Sequence, residues 1–475
     1  MKRLRRKKCE FNMMNSPACF FFFFLPFCCL LYCCTPEEEI ITYAGNARLT
    51  FSEDTISFDT IFTSLGSTTH WLTVHNPNRN AVEIDAIELA GGASSPYTVY
   101  VNGKSGNIFT NQFLLGKDSL LVLVEVTIDP ADQNMPFLVK DSLIFQTNGN
   151  QQDVKLTAWG QDAHFLQALT IRKDTIFTAK RPYVIIDSLF VEAPATLHIE
   201  AGARLFFDNQ AKLLVQGSLQ AKGTAENRIV FKNIRQDAVF ANAPGQWGGI
   251  IFTPESKQNI VDFAVIRNAE NGIFKQGSPQ NDNGQDTIPQ LVIVNTIIEN
   301  MSSAGILAFN ASLRVYNTLV NHCVGHIIGN FEGGRYSYTH CTLDNGNNLF
   351  VREAPVAEFS DGMDEHGTRP MNVRMENNII WGNLNEELVL DQIALDASVL
   401  QITHNLIKTR RNELEANDNL INIDPEYIDP VVYNYRLDTT SQAIDKGAKS
   451  RIMTDLDGNQ RDTLPDLGAY EFIKE

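Results

Sequence analysis

Five six-residue segments of this chain can be laid over one another: Phe263 to Asn268, Asn295 to Asn300, Asn317 to His322, His340 to Asn345 and Asn377 to Gly382. Each holds a short apolar strand, the strands being separated by Asn and Gly, and the tightest steps between the segments are 22 and 23 residues. A period of that length is one coil of a solenoid with three short strands. The longer steps hold insertions, at 276–290 and 353–370, and a last, shorter copy runs from His404 to Ile407. One such coil cannot bury its apolar face, whereas stacked coils form parallel sheets about 4.8 Å apart. The Ile, Leu and Val positions are then expected to form internal ladders, and the corner Asn residues to hydrogen-bond along the stack as amide ladders do. Gly272, Gly305 and Gly325 are expected to supply positive φ at the corners. A leucine-rich horseshoe is the competing architecture, but its leucine spacing is absent and no helix-period segments alternate with the strands.

The stretch ahead of the repeats has its own signature in Leu197 to Phe207, Leu213 to Thr224, Ile229 to Phe231 and Trp247 to Phe252. These segments resemble the start of many right-handed parallel β-helix proteins. The resemblance covers about 190–410 and implies the fold, not an activity. The C-terminal run, with Tyr435 to Leu437, Ser441 to Gly447, Asp455 to Arg461 and Asp466 to Phe472, resembles the choice-of-anchor-Q-like ending of exported β-helix proteins. It is read as a cap over the open end of the solenoid. Asp455, Asp457 and Asn459 stand at alternate positions and are the Ca²⁺ candidates of the sequence. No Gly and Glu follow at EF-hand spacing, so a turn with exposed acids is the simpler expectation.

Between 45 and 160 the pattern changes to period-two alternation broken by turn clusters, as in Trp71 to His75, the turn Asn76 to Asn80, and Val82 to Leu89. About seven such strands fit an antiparallel sandwich. The layout resembles immunoglobulin-like repeats in which a His-Asn-Pro turn follows an early strand, here His75, Asn76 and Pro77. Such a resemblance implies a spacer or adhesion unit. The expected fold class is therefore all-β, an N-terminal antiparallel β-sandwich followed by a right-handed parallel β-helix. The expected divisions are a signal peptide at 1–33, an acidic linker at 34–44, the sandwich at 45–162, the β-helix at 163–434 and the capping segment at 435–475.

The N-terminus predicts export. Basic residues from Lys2 to Lys8 precede an apolar run from Ala18 to Tyr32, interrupted by Pro26, which suits a signal peptide better than a spanning helix. Six of the eight cysteines fall in the first 34 residues, and only Cys323 and Cys341 lie in the body, which excludes a disulfide scaffold. Leu30 to Cys34, followed by Thr35, Pro36 and three glutamates, resembles a bacterial lipoprotein signal, with the acidic triplet similar to the surface-export signal of Bacteroidetes lipoproteins. That resemblance implies lipidation at Cys34, with Cys33 as the alternative, and attachment to the outer membrane at the cell surface. Asp-Ser/Thr pairs place hydroxyls at Thr55, Thr60, Ser119, Ser142, Thr175, Ser188, Thr287, Thr439 and Thr463. The pattern resembles the O-glycosylation acceptor of Bacteroidetes exported proteins, although such pairs also open strands after turns in any β-rich chain. The formal charge is -17, and residues 1–33 contribute +5 of it, which leaves -22 on the remainder. A surface that acidic repels phosphate backbones, so nucleic acid is excluded as a partner.

Many parallel β-helices are pectate lyases or polygalacturonases, which makes catalysis the main rival of a binding role. The densest ionisable cluster lies in the second insertion, with Glu353, Glu358, Asp361, Asp364, Glu365, His366 and Arg369. If the chain is an enzyme, a polysaccharide lyase or glycoside hydrolase, then Asp361, Asp364, Glu365, His366 and Arg369 are its candidate residues. The cluster is local to a loop, and no carboxylates recur one coil apart on facing positions. No phosphate loop, Ser-His-Asp order or zinc spacing occurs, and no cofactor is expected. Cys323 and Cys341 fall at different places in their coils and read as buried thiols, while His322, His340 and His404 fall near corners. The expected function is a non-enzymatic surface module that binds or scaffolds glycans or partner proteins, with an adhesin or assembly component as a further alternative. Tyr316, Tyr336, Tyr338 and Trp381 are the aromatic residues expected on its outer face.

Overall fold

The computed structural model describes residues 39–473 except 238–239, 278–287, 347–350, 363–368, 392 and 394–397, and the chain divides into two compact units. Nearly all regular structure is β. The N-terminal region holds two five-stranded sheets built from the first ten strands, Thr50–Phe51 through Asn150–Gln161. Their strands pair antiparallel, such as His70–His75 with Ser119–Val126 in the register Leu72↔Val122. Alternation sets the faces: Leu72, Val74, Val122 and Val124 are fully buried while Trp71 and Leu121 point to solvent. Ten strands stand where about seven were expected, because pieces such as Thr50–Phe51 and Lys104–Gly106 are too short to show alternation. The Asn76 turn has a physical cause. Its buried amide donates to the carbonyls of Asn80 and Leu115, both at 2.9 Å, and accepts from the Asn78 N–H at 3.0 Å.

From His164 onward the strands stack in parallel on three faces. The first face is the repeat recognised in the sequence: Ala264–Arg267, Ile297–Met301, Leu319–Cys323, Thr342–Asn345, Ile379–Gly382, Leu406–Ile407 and Leu420–Ile421, preceded by Arg204–Phe207 and Ile229–Asn233. Its inward column runs Ile266, Ile298, Val320, Leu343, Ile380, Ile407 in unbroken register, all six fully buried. Each contributes on the order of 2 kcal/mol of apolar burial. The second face includes Gly249–Phe252, Ile273–Gln276, Ala357–Ser360 and Leu388–Asp391, and the third includes Leu291–Val294, Met371–Glu376 and Val399–Thr403. Ile306–Tyr316 and Ile328–Thr339 each turn the corner between those two faces, with a register shift between Phe309 and Ala311.

The corners differ from the sequence expectation in one respect. Positive φ falls on the first residue of every repeat copy, at Phe263, Asn295, Asn317, His340, Asn377 and His404, with values from 45° to 62°. Gly272, Gly305 and Gly325 are not in that region. They are required for close approach: a Cβ on Gly305 would sit 2.3 Å from Val320 Cγ1 and 2.7 Å from the Ile327 carbonyl. In four of the six copies the next residue plays one shared role. Thr296, Thr318, Cys341 and Asn405 each donate to the carbonyl two residues back, at 2.7, 3.0, 3.5 and 2.8 Å. Cys341 is therefore a buried thiol doing a threonine's job, and burial pushes both it and Cys323 up to about 12. Further along, Asn378, Asn405 and Asn419 form the expected amide ladder, at 2.8 and 2.9 Å.

Two other expectations are corrected. Tyr336 and Tyr338 point inward, because register puts them on Leu313 and Val315; their hydroxyls donate to the Gly333 carbonyl and to Asn330. The C-terminal segment is a strap along the first face rather than a cap on the open end. Tyr435, Leu456, Ala469 and Tyr470 pack on Leu319, and Leu437, Ala443 and Leu467 pack on Ile379 and Leu406. Polar ties mark its course: Asn377 exchanges two 2.7 Å bonds with Ala448, Asn317 donates to the Thr454 carbonyl, and Arg228 to that of Leu456. The outward Leu319, Ile379 and Leu406 made a strip of apolar surface that something had to cover.

Candidate functional site

On the third face every second residue points outward, and register stacks these residues into two neighbouring columns. One reads Arg314, Ser337, Arg374, Gln401 and the other Ser312, Arg335, Asn372, Val399. They floor a shallow groove of about 300 Å³ with Pro289 at its rim. Inward-facing Leu313, Tyr336 and Val373, buried in the core, fix the backbone beneath it. Arg314 and Arg374 are exposed and stand two rungs apart, about 9.6 Å at the usual strand spacing. Arg335 occupies the rung between them in the adjacent column. No carboxylate lines the groove among the described residues. Glu376, two residues along the strand, holds one arm of Arg374 at 2.8 Å. Such a surface can hold anionic and hydroxyl groups through guanidinium forks and short polar side chains.

The insertion cluster is brought together only in part. Asp364, Glu365 and His366 lie outside the described residues. Asp361 is fully buried, and Arg369 faces Glu332 at 3.4 Å. Glu353 is exposed, whereas Glu358 meets His326 with Nε2 to Oε2 at 2.6 Å, both half-buried. His340 is structural: it is buried, held neutral by that burial, and bonded to Asn377 at 2.9 Å. Among the described residues no three His, Cys, Asp or Glu side chains converge as metal ligands.

The Asp455, Asp457 and Asn459 candidates serve the strap. Asp455 is buried and accepts from the N–H groups of Asp457, Asn459 and Glu471 at 2.8–3.0 Å, which leaves its carboxylate committed to the backbone. Asp457 pairs with Arg436. The three residues organise a turn, and its one departure from the expected exposed acids is that Asp455 is buried. Thr55, Ser119, Thr439 and Thr463 are exposed and Thr60, Ser142, Thr175 and Ser188 half-buried, while Thr287 lies outside the described residues, as do Cys33 and Cys34. Of the outer aromatics, Tyr316 and Trp381 are half-buried, and Lys408 sits 4.9 Å over the Trp381 ring.

No protein-family model matches the chain, and no curated protein matches it. Among solved structures, the catalytic domain of a GH87 α-1,3-glucanase with tetrasaccharides is 11% identical over 75% of this chain and 82% of its own, at a TM-score of 0.21. The Agl-KA catalytic domain is 10% identical over 77% and 99%, at 0.20. The PapD-like domain of human CEP192 is 12% identical over 27% and 92%, at 0.17. The chain thus has weak structural neighbours among glycoside hydrolase catalytic domains, at a distance that says nothing of its activity.

Proposed function

We propose that this chain is an exported lipoprotein, held at the outer membrane surface by acylated Cys34 or Cys33, whose β-helix is a non-enzymatic binding or scaffolding module for glycans. The groove on the third face carries the reading: several polar side chains face outward from one rigid face, and the carboxylate pair that glycoside hydrolysis needs is not among the residues described there. The sequence supports the anchor through its basic, apolar and cysteine-bearing start. The test is incubation of the purified chain with acidic and neutral polysaccharides, with and without Ca²⁺. Retention of a polysaccharide with no new reducing ends and no unsaturated products is the expected result. Accumulating products would overturn it in favour of a polysaccharide lyase or glycoside hydrolase. That second reading has one observation of its own, the His326–Glu358 pair on the second face, and predicts that Glu358→Gln would stop product formation.

A further inference from the structure

We propose that the groove on the third face takes an extended anionic polysaccharide, with its carboxylate or sulfate groups on Arg314, Arg335 and Arg374 and its hydroxyls on Ser337, Asn372 and Gln401. The inference rests on the glycan-binding reading above and adds the charge class and the axis of the ligand.

The first argument is charge. A chain with a formal charge of -17 gathers three guanidinium groups along one groove, and the described lining holds no carboxylate, the Glu376 that takes one arm of Arg374 lying outside it. Cations grouped this way on an acidic protein focus an attractive potential where the rest of the surface repels. The second argument is spacing. The three arginines stand on three successive rungs in two columns, so they form a staggered row along the solenoid axis instead of converging on one point. A single small anion would meet one or two of them, whereas a polymer with repeated charges lying along the axis meets all three. The planar fork of arginine suits carboxylate and sulfate oxygens in two-point contact.

The third argument separates a glycan from a nucleic acid. Single-stranded nucleic acid is held by aromatic rings on which bases stack. The tyrosine lining this groove, Tyr336, has its ring buried and its hydroxyl bonded to the Gly333 carbonyl. What remains between the arginines is Ser, Asn and Gln, the hydrogen-bonding groups that match sugar hydroxyls.

The experiment uses the full chain and measures binding to polygalacturonate, a sulfated galactan, neutral dextran and a single-stranded oligonucleotide, at low and high salt. Binding to one of the two anionic glycans is expected, weakening about tenfold or more between about 50 and 200 mM salt because three charge contacts are screened. Arg314→Gln with Arg374→Gln is expected to weaken it about tenfold or more, with the unfolding midpoint unchanged since both side chains are exposed. Arg314→Lys with Arg374→Lys keeps the charge and is expected to recover part of the loss. Equal binding to dextran, insensitivity to the Gln pair, or tighter binding to the oligonucleotide would each overturn the inference. Binding to dextran alone would do so while leaving the glycan-binding reading standing, and binding to none of the four would sink both.

Discussion

At the scale of single residues, the first position of each repeat shows how backbone conformation selects side chains. Five of its six occupants are Asn or His, residues enriched at positive φ, and the side chain then closes a local bond, as Asn295 does with Asp262 at 3.0 Å and Asn317 with Asn295 at 3.2 Å. Burial under the strap produces a second residue-level consequence. Asp344 is fully buried beside the Tyr427 hydroxyl, and burial pushes its carboxyl up to about 7 from 3.8. The native fold then holds a proton that the unfolded chain releases near pH 4, so stability falls as pH rises from about 4 to 7. Asp466, pushed up to about 6 by burial, acts in the same sense. Asp344→Asn keeps the acceptor for the Gly346 N–H and removes the titration. Denaturant unfolding from pH 4 to 8 should show the loss of stability shrinking by about 4 kcal/mol; an unchanged slope would mean that Asp344 ionises normally in the fold.

At the scale of elements, the strap is the least autonomous piece. It has little regular structure, a two-stranded pairing of Tyr427–Asp429 with Asn434–Leu437 and short turns, and its hold depends on side chains. Arg461 is the clasp. Its buried guanidinium bonds Glu471 at 2.9 Å, Asn317 at 3.1 Å and the carbonyls of Gly468 and Ala469, while Glu471 accepts from the N–H groups of Asp462 and Asp466. Removing one partner strands the other as a buried charge, which costs about 3–5 kcal/mol. Glu471→Ala is therefore expected to lower stability by about that much and to expose the strap to limited proteolysis ahead of the solenoid. Cleavage at the wild-type rate would show that apolar packing by Tyr435, Leu456 and Tyr470 suffices. The fully buried Arg352–Glu387 pair ties the second insertion to the following coil by the same device, with Glu387 also accepting from the Val356 and Leu384 N–H groups.

At the scale of the molecule, a solenoid offers long faces, and here each has a different fate. The first face is covered by the strap. The second carries outward Phe274, Phe309 and Phe331, with ring centroids 5.7 and 5.5 Å apart, and the third carries the polar groove. Under the proposed function, the anchor is what would hold such a surface at the outside of the cell. Cys34→Ser is expected to abolish incorporation of labelled fatty acid and to release the chain from membranes, with Cys33→Ser behaving as wild type. The reverse pattern would move the modification to Cys33, and label retained by both variants would remove it from this pair.

The sequence by itself determined the coil, its period and its corner positions, because stacking requires that each aliphatic position recur at the same place in every turn, and a recurrence of 22 or 23 residues is visible without coordinates. The arginine groove was half legible: Arg314 and Arg374 each stand three residues before a corner, at Asn317 and Asn377, but Arg335 belongs to another column. Which residues of a strand face outward was a matter of pleat. Tyr336 and Arg335 are neighbours in the chain, and only register with Leu313 and Ser312 sent one into the core and the other into the groove. Only the tertiary structure decided the path of the C-terminal strap, since its contacts with Leu319, Ile379 and Arg228 join residues up to 228 positions apart and follow no period. Local pattern fixes what repeats; contacts made once leave no periodic trace for a reader of the sequence to follow.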